Sequence, residues 1–77
     1  MKTDDVTVID ARGLSCPHPV LRAREALRPL ASGAAIELLA TDPMSSLDVH
    51  AFCLRAGHQL LREERDGEVL RFVIKKV

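Results

Sequence analysis

Short runs in which apolar residues alternate with polar ones, or follow one another without a break, predict four β-strands. The first run is Val6–Ala11, which is rich in β-branched residues, and the second is Ala35–Ala40, whose composition would also suit a helix. A third strand begins at Leu60 and Leu61. The last run, residues 69–75, predicts a strand with one face for a core and one partly solvated face. Its two alternating sets are Leu70, Phe72 and Ile74 against Val69, Arg71, Val73 and Lys75.

Apolar residues recur at helical spacing from Pro17 onward and predict a first, amphipathic helix. Pro29 ends or kinks this helix, because a proline ring clashes with the preceding helical turn. The apolar stripe consists of Val20, Ala23, Leu27 and Leu30, and the polar side carries Arg22, Glu25 and Arg28.

A second helix is predicted to run up to Ala56, where Gly57 stops it. Ser45 or Ser46 can cap its start, after a turn at residues 41–43. One side of this helix is apolar and is predicted to face the core. It carries Val49, Phe52, Cys53 and Ala56.

The opposite side of the second helix carries another apolar stripe, formed by Leu47, Ala51 and Leu54. Two interpretations stay open for it. The stripe is part of a docking surface, or it packs against a loop or a neighbouring copy of the chain.

Turn residues connect these elements in the order β-α-β-α-β-β. Gly13 ends the first strand, and Asp66 followed by Gly67 predicts a tight hairpin, because both residues tolerate positive φ. A strand-helix-strand unit normally has a right-handed crossover, which places both helices on one face of the sheet. The predicted fold is therefore a two-layer α/β sandwich (α+β), with two helices covering one face of a four-stranded mixed sheet. Residues 1–77 are predicted to form one domain.

Composition narrows the class of protein further. Hydrophobic residues make up 47% of the 77 residues and charged ones 29%, which is typical of a globular chain and not of a disordered one. Lys plus Arg equals Asp plus Glu at 11 each, and the chain has no Trp or Tyr and only two Phe. The chain has no net positive charge to attract the phosphates of a nucleic acid, and it has few aromatic side chains on which bases could stack. Direct, stable nucleic-acid binding is therefore disfavoured.

The start of the chain indicates a cytoplasmic protein. Residues 1–10 contain no apolar run long enough for a signal peptide or a membrane span, so no membrane association is expected. In a reducing compartment Cys16 and Cys53 stay as thiols and do not form a structural disulfide.

Cys16 is the candidate reactive residue, because it lies where a loop meets the start of the first helix. We expect Cys16 to be the N-cap and Pro17 the first helical residue. The partial positive charge at the start of the helix and the free N–H groups of His18 and Val20 then favour the thiolate form of Cys16. Pro17 and Pro19 fix the backbone beside the cysteine, and Gly13 permits the turn before it, so a partner meets a rigid thiol.

Residues 10–14 (DARGL) and 16–20 (CPHPV) resemble the strand end and Cys-Pro-x-Pro motif of the TusA (SirA-like) sulfurtransferase family. The resemblance covers nearly the whole chain. It includes four further pairs of residues: Asp42 and Pro43, Phe52 and Cys53, Gly57 and His58, and Asp66 and Gly67.

The resemblance implies a βαβαββ fold and a sulfur relay in which Cys16 carries a persulfide. It implies a sulfur-donor protein, either a cysteine desulfurase or a rhodanese-like protein, and a sulfur-acceptor protein. Relatives serve 2-thiouridine formation in transfer RNA, molybdenum-cofactor supply or sulfur oxidation, and the sequence does not choose among these pathways. No cofactor is expected.

Two rival interpretations predict other roles. A non-catalytic regulatory or adaptor module on the same fold would use Cys16 for packing alone. A zinc site would draw on Cys16, Cys53 and the histidines, but the spacings are loose and the metal would occupy the sulfur that a relay requires. The sequence therefore predicts no metal site.

Overall fold

The computed structural model describes residues 6–77, and within them it contains four strands and two helices. Residues 1–5 lie outside the described residues. They include the start of the predicted domain and half of the segment that is predicted to hold no signal peptide. In chain order the elements are β1 (Val6–Ala11), α1 (His18–Leu27), β2 (Ala35–Ala40), α2 (Ser45–Ala56), β3 (Gln59–Asp66) and β4 (Val69–Lys75).

The four strands form one mixed sheet in the order β1-β2-β4-β3. β1 runs parallel to β2, with Ala11 opposite Ala40, whereas β4 runs antiparallel to both β2 and β3. Since β1 and β2 are parallel, the loops that follow them lie at the same end of the sheet. The predicted two-layer fold with a four-stranded mixed sheet is confirmed.

The core lies between the sheet and the two helices, which cover one face. Alternate residues of β2 and β4 point into it, because successive side chains of a strand project to opposite faces. Phe72 is the largest fully buried side chain. The buried apolar residues are Ala11, Ala23, Leu27, Ile36, Leu38, Ala40, Val49, Cys53, Leu70, Phe72 and Ile74. Cys53 and Val49 thus lie in the core, as predicted, whereas Ala56 is exposed and its predicted core contact is wrong.

Helix α1 begins one residue later than predicted. Pro17 is the N-cap and His18 the first helical residue, so Cys16 lies outside the helix and the prediction that it is the N-cap is wrong. Pro19 is buried on the core side of the first turn. Its missing N–H costs no hydrogen bond there, because the first N–H groups of a helix have no partner within the helix.

Helix α2 is capped differently from the prediction. Met44 is the N-cap, and neither Ser45 nor Ser46 makes a capping bond with the described residues. Instead an Asp42 carboxylate oxygen accepts the Met44 N–H at 3.1 Å. Gly57 ends the helix in the left-handed conformation at φ 82°, as predicted. Neither α1 nor α2 is long and apolar enough to cross a membrane.

Candidate functional site around Cys16

The loop after β1 leaves the sheet through a turn that glycine makes possible. Gly13 has φ +83°, a conformation that is strained for residues with a Cβ atom. Its N–H donates to the Thr41 hydroxyl at 2.9 Å, and the Leu14 N–H donates to the Ala11 carbonyl at 3.2 Å. The turn is therefore tied both to its own strand and to the loop after β2.

Asp42 fixes the position of Cys16 itself. One of its carboxylate oxygens accepts the Cys16 N–H, and the other accepts the Met44 N–H. These two bonds hold the pKa of the Asp42 carboxyl below its usual value. One side chain thus joins the cysteine loop to the start of α2.

Cys16 is exposed, and it lies between the two helix starts. The His18 N–H donates to the Ser15 carbonyl at 2.8 Å, so it is not directed at the sulfur. The expectation that this N–H would stabilise a thiolate is therefore wrong.

The nearby Asp48 carboxylate is the chief cause that raises the pKa of the Cys16 thiol above its ordinary value. Desolvation and the negative charges of Asp48 and Asp42 act in the same direction. These effects act against the stabilisation of a thiolate that was predicted from the start of α1.

A groove of about 270 Å³ runs between the two helices, beside the cysteine loop. Its apolar part contains Phe52, whose ring also lies 5.5 Å from the His58 ring. Its lining residues are Pro17, Val20, Leu21, Arg24, Asp48, Ala51, Phe52 and Arg55. The stripe on α2 is solvent-facing, since Leu47 is 64% and Leu54 87% exposed.

Two of the other predicted candidates, Cys53 and His50, lie apart from this loop. Cys53 is 5% exposed inside the core. His50 is on the outside of α2, where its Nε2 lies 2.7 Å from a Glu63 carboxylate oxygen on β3. The site therefore has a single exposed thiol among the described residues.

A sequence model of the family described as Sulfurtransferase TusA matches residues 7–76. The chain belongs to this family. The resemblance named from the sequence is confirmed, and the matched residues include all of the Cys16 loop.

Relatives of this TusA-family chain support the assignment. The putative sulfur carrier protein YrkI of Bacillus subtilis is 41% identical over 76 residues, which cover 99% of each chain. The sulfur carrier protein TusA of Allochromatium vinosum is 41% identical over 68 residues, covering 88% of this chain and 90% of that one. The crystal structure of a SirA-like protein from Desulfitobacterium hafniense has a TM-score of 0.81 at 30% identity, covering 91% of this chain and 96% of that chain.

Sequence reasoning missed one residue of this site, Asp48, and it treated Asp42 as part of a turn and of the family resemblance, without a role at Cys16. Asp42 could have been found as a side-chain acceptor, because aspartates in turns bond backbone N–H groups two residues on. Asp48 is far from Cys16 in sequence, and only the parallel pairing of β1 with β2 brings their following segments together. An acid in the first turn of α2 was the available signal.

Proposed function

We propose that this protein is a sulfur carrier in which Cys16 accepts sulfane sulfur as a persulfide and relays it to an acceptor protein. The donor is a cysteine desulfurase or a rhodanese-like protein. The acceptor leads to 2-thiouridine formation in transfer RNA or to another sulfur-trafficking pathway. Membership of the TusA family and the names of the relatives support the carrier role.

The observation that carries the proposal is an exposed thiol on a loop whose backbone is held on both sides. Gly13 is bonded to Thr41, and the Cys16 N–H is bonded to Asp42. Such a loop presents one sulfur to successive partners with little ordering cost on binding.

The prolines of the motif support this presentation in different ways. Pro19 anchors the first turn of α1 in the core, whereas Pro17 is exposed beside the cysteine and lines the groove between the helices. Pro17 therefore offers a rigid contact to a docking partner, and Pro19 keeps the loop fixed to the fold.

Sulfur transfer at this site is an exchange between the Cys16 thiol and a donor persulfide. The Cys16 sulfur attacks the terminal sulfur of a donor persulfide, a new S–S bond forms on Cys16, and the S–S bond of the donor breaks. The thiol proton ends on the departing donor sulfur, and no external oxidant is needed because one S–S bond breaks as the other forms. Delivery to an acceptor thiol repeats the exchange in the opposite sense.

Intact-mass measurement after incubation with a cysteine desulfurase and cysteine tests the proposal. Wild-type protein is expected to gain about 32 mass units, equal to one sulfur atom, and to lose them on treatment with a reductant. Cys16→Ser is expected to gain nothing.

Cys53→Ser is the matched control, because Cys53 is buried in the core and Cys16 is exposed. It should be loaded like the wild type. An equal gain on Cys16→Ser, or no gain on the wild type with several competent donors, would reject the carrier function and favour an adaptor that needs no reactive thiol.

A further inference from the structure

The sheet has a second face, which α1 and α2 do not cover. Side chains alternate along a strand, so every second residue of the four strands points away from the core and forms this open face. Val8 of β1 is 55% exposed there, and the outward residues of β4 are half-buried between Leu70, Phe72 and Ile74. The apolar residues of the open face are Val6, Val8, Ala35, Leu39, Val69 and Val73.

The charges of the open face are of both signs and are largely paired. Four salt bridges occur in residues 6–77, and three of them involve residues of this face. These three pairs are Arg12 with Asp10, Arg62 with Glu64, and Arg71 with Glu37. A surface without an excess of one sign does not attract a polyanion or a strongly acidic protein. It fits a surface of the same mixed composition.

The centre of the open face is a square of four residues on β2 and β4, the two inner strands of the sheet. Glu37 is opposite Val73, and Leu39 is opposite Arg71. The two charged residues therefore lie on one diagonal of the square and the two apolar residues on the other. Arg71 Nη1 lies 3.3 Å from a Glu37 carboxylate oxygen, and this single contact leaves other N–H donors of the guanidinium free for a second carboxylate.

This pattern is complementary to itself. A two-fold axis that runs across the strands through the centre of the square places Glu37 beside Arg71 of a second copy, and Leu39 beside Val73 of that copy. On β3, Arg62 lies in the same row as Glu37 and Glu64 in the same row as Arg71. The same axis therefore places Arg62 over Glu64 of the second copy.

We propose that the open face is an interface between two copies of this chain, which associate face to face about this two-fold axis. The interface does not depend on the carrier function. The helices and the groove between them lie on the other side of the sheet, so each copy can still meet another protein while it is paired.

The size of the open face determines how tightly two copies can bind. Four strands of about seven residues, spaced about 4.8 Å apart with a rise of about 3.3 Å per residue, cover about 450 Å² in each copy. The pair then buries about 900 Å², which is below the roughly 1,200 Å² of standard stable interfaces. The dimer is consequently transient, with a dissociation constant weaker than about 1 μM.

Sedimentation velocity at protein concentrations from about 10 μM to about 1 mM is the first test. The weight-average mass of the wild type is expected to rise from 8.5 kDa towards twice that value as the concentration increases. A mass that stays at 8.5 kDa up to the highest concentration would overturn the proposal, and would leave the face to a different protein.

Charge reversal tests the arrangement of the two copies. Glu37→Arg and Arg71→Glu each place like charges at the centre of the interface, so each variant alone is expected to associate at least about tenfold more weakly than the wild type. An equimolar mixture of the two should associate again, because a face with two carboxylates then meets a face with two guanidinium groups. A mixture that stays monomeric like its components would overturn the proposed two-fold arrangement.

Two controls separate the interface from other effects. Arg55→Glu makes the same change of charge on α2, in the groove between the helices, and it should associate like the wild type. An equal loss in Arg55→Glu would overturn the proposal, because overall charge would then be the cause. The double variant with Glu37→Arg and Arg71→Glu retains both the pair within the chain and the pair between copies, so it should dimerise. Melting temperatures show whether each variant is folded.

Backbone amide chemical shifts followed on dilution identify the face that is used. We expect the shifts to change on β2 and β4. Changes confined to β1 would indicate pairing through the edge of the sheet, and changes confined to α2 would indicate contact through Leu47 and Leu54. Either of these two results would overturn the proposal, even if a dimer forms.

Discussion

Gly13 determines how the chain leaves β1, and its conformation can be tested by substitution. A residue with a Cβ atom at φ +83° is strained by about 1–2 kcal/mol, although no other atom lies within 4 Å of the position that a Cβ would take. Gly13→Ala is therefore expected to lower the free energy of unfolding by about that amount, as measured by urea denaturation.

The matched variant is Gly13→Asn, because asparagine tolerates the left-handed region better than alanine does. It should lose less stability than Gly13→Ala. Equal losses in the two variants would show that the backbone conformation is not the cause.

Part of the residue-level chemistry could be predicted from the sequence. Cys16 next to Pro17, where a loop meets the start of the first helix, indicated an exposed thiol on a rigid mount, and the structure has an exposed thiol there. The upward shift of the thiol pKa could not be predicted, because it depends on Asp42 and Asp48, which only tertiary structure brings near Cys16. The residues next to Cys16 in the sequence include the start of α1, which favours a thiolate. They do not include the two acids, which raise the pKa of the thiol.

At the scale of elements, Lys76 joins the end of the chain to the end of α1. Its ammonium donates to the Leu27 and Arg28 carbonyls, each at 2.9 Å. Carbonyls in the last turn of a helix have no partner within the helix and carry partial negative charge. Lys76→Met is expected to lower the free energy of unfolding by about 1 kcal/mol.

Lys75→Met is the control for this prediction, because it removes the same charge from the neighbouring residue of β4. Lys75 lies opposite Ala35 in the sheet, and the backbone bonds of Lys76 to Gly33 and Ala34 are kept in both variants. Thermal or urea denaturation of the two variants should differ. Similar losses would mean that overall charge, and not the helix end, accounts for the effect.

Helix α2 is joined to β3 by a cluster that responds to pH. Glu63 accepts hydrogen bonds from Ser46 and His50, and these two bonds hold the pKa of the Glu63 carboxyl below its usual 4.5. A carboxyl whose pKa is lower in the folded state stabilises the fold above its unfolded pKa, and this contribution is lost as the pH falls through the folded pKa.

Wild-type protein is therefore expected to lose more stability than Glu63→Gln as the pH falls from about 5 to below the folded Glu63 pKa. Urea denaturation at several pH values measures the difference between the two proteins. Glu64→Gln is the control on the same strand, and it should follow the wild type. Parallel pH curves for wild type and Glu63→Gln would contradict the assignment.

At the scale of the whole molecule, stability depends on one small core centred on Phe72. This side chain is fully buried opposite Leu38 on the neighbouring strand. Removing a buried phenylalanine costs about 3–5 kcal/mol, which is a large part of the stability of a small domain. Phe72→Ala is expected to be largely unfolded or to melt far below the wild type when followed by circular dichroism.

Leu54→Ala is the matched substitution on the surface, because Leu54 is 87% exposed. It should change the free energy of unfolding by less than about 0.5 kcal/mol. A large loss in Leu54→Ala would show that the exposed stripe on α2 packs against something in solution.

Most of the fold could be predicted from local signals, although the composition of β2 also suited a helix. Alternation in β4 identified the buried set of Leu70, Phe72 and Ile74, and the hairpin residues joined β4 to β3. The order of strands across the sheet and the burial of Pro19 could not be predicted. Both depend on packing between segments that are distant in the sequence.

The parallel pairing of β1 with β2 has a consequence for protein design. It places the cysteine loop beside the loop containing Thr41 and Asp42, and the bonds between them use only a glycine N–H, a cysteine N–H and two short side chains. A scaffold with two adjacent parallel strands of this register would bring two such loops side by side at the carboxyl ends of the strands. We expect the two loops to be transplantable as a pair, and the cysteine loop grafted alone to lose the orientation of its thiol.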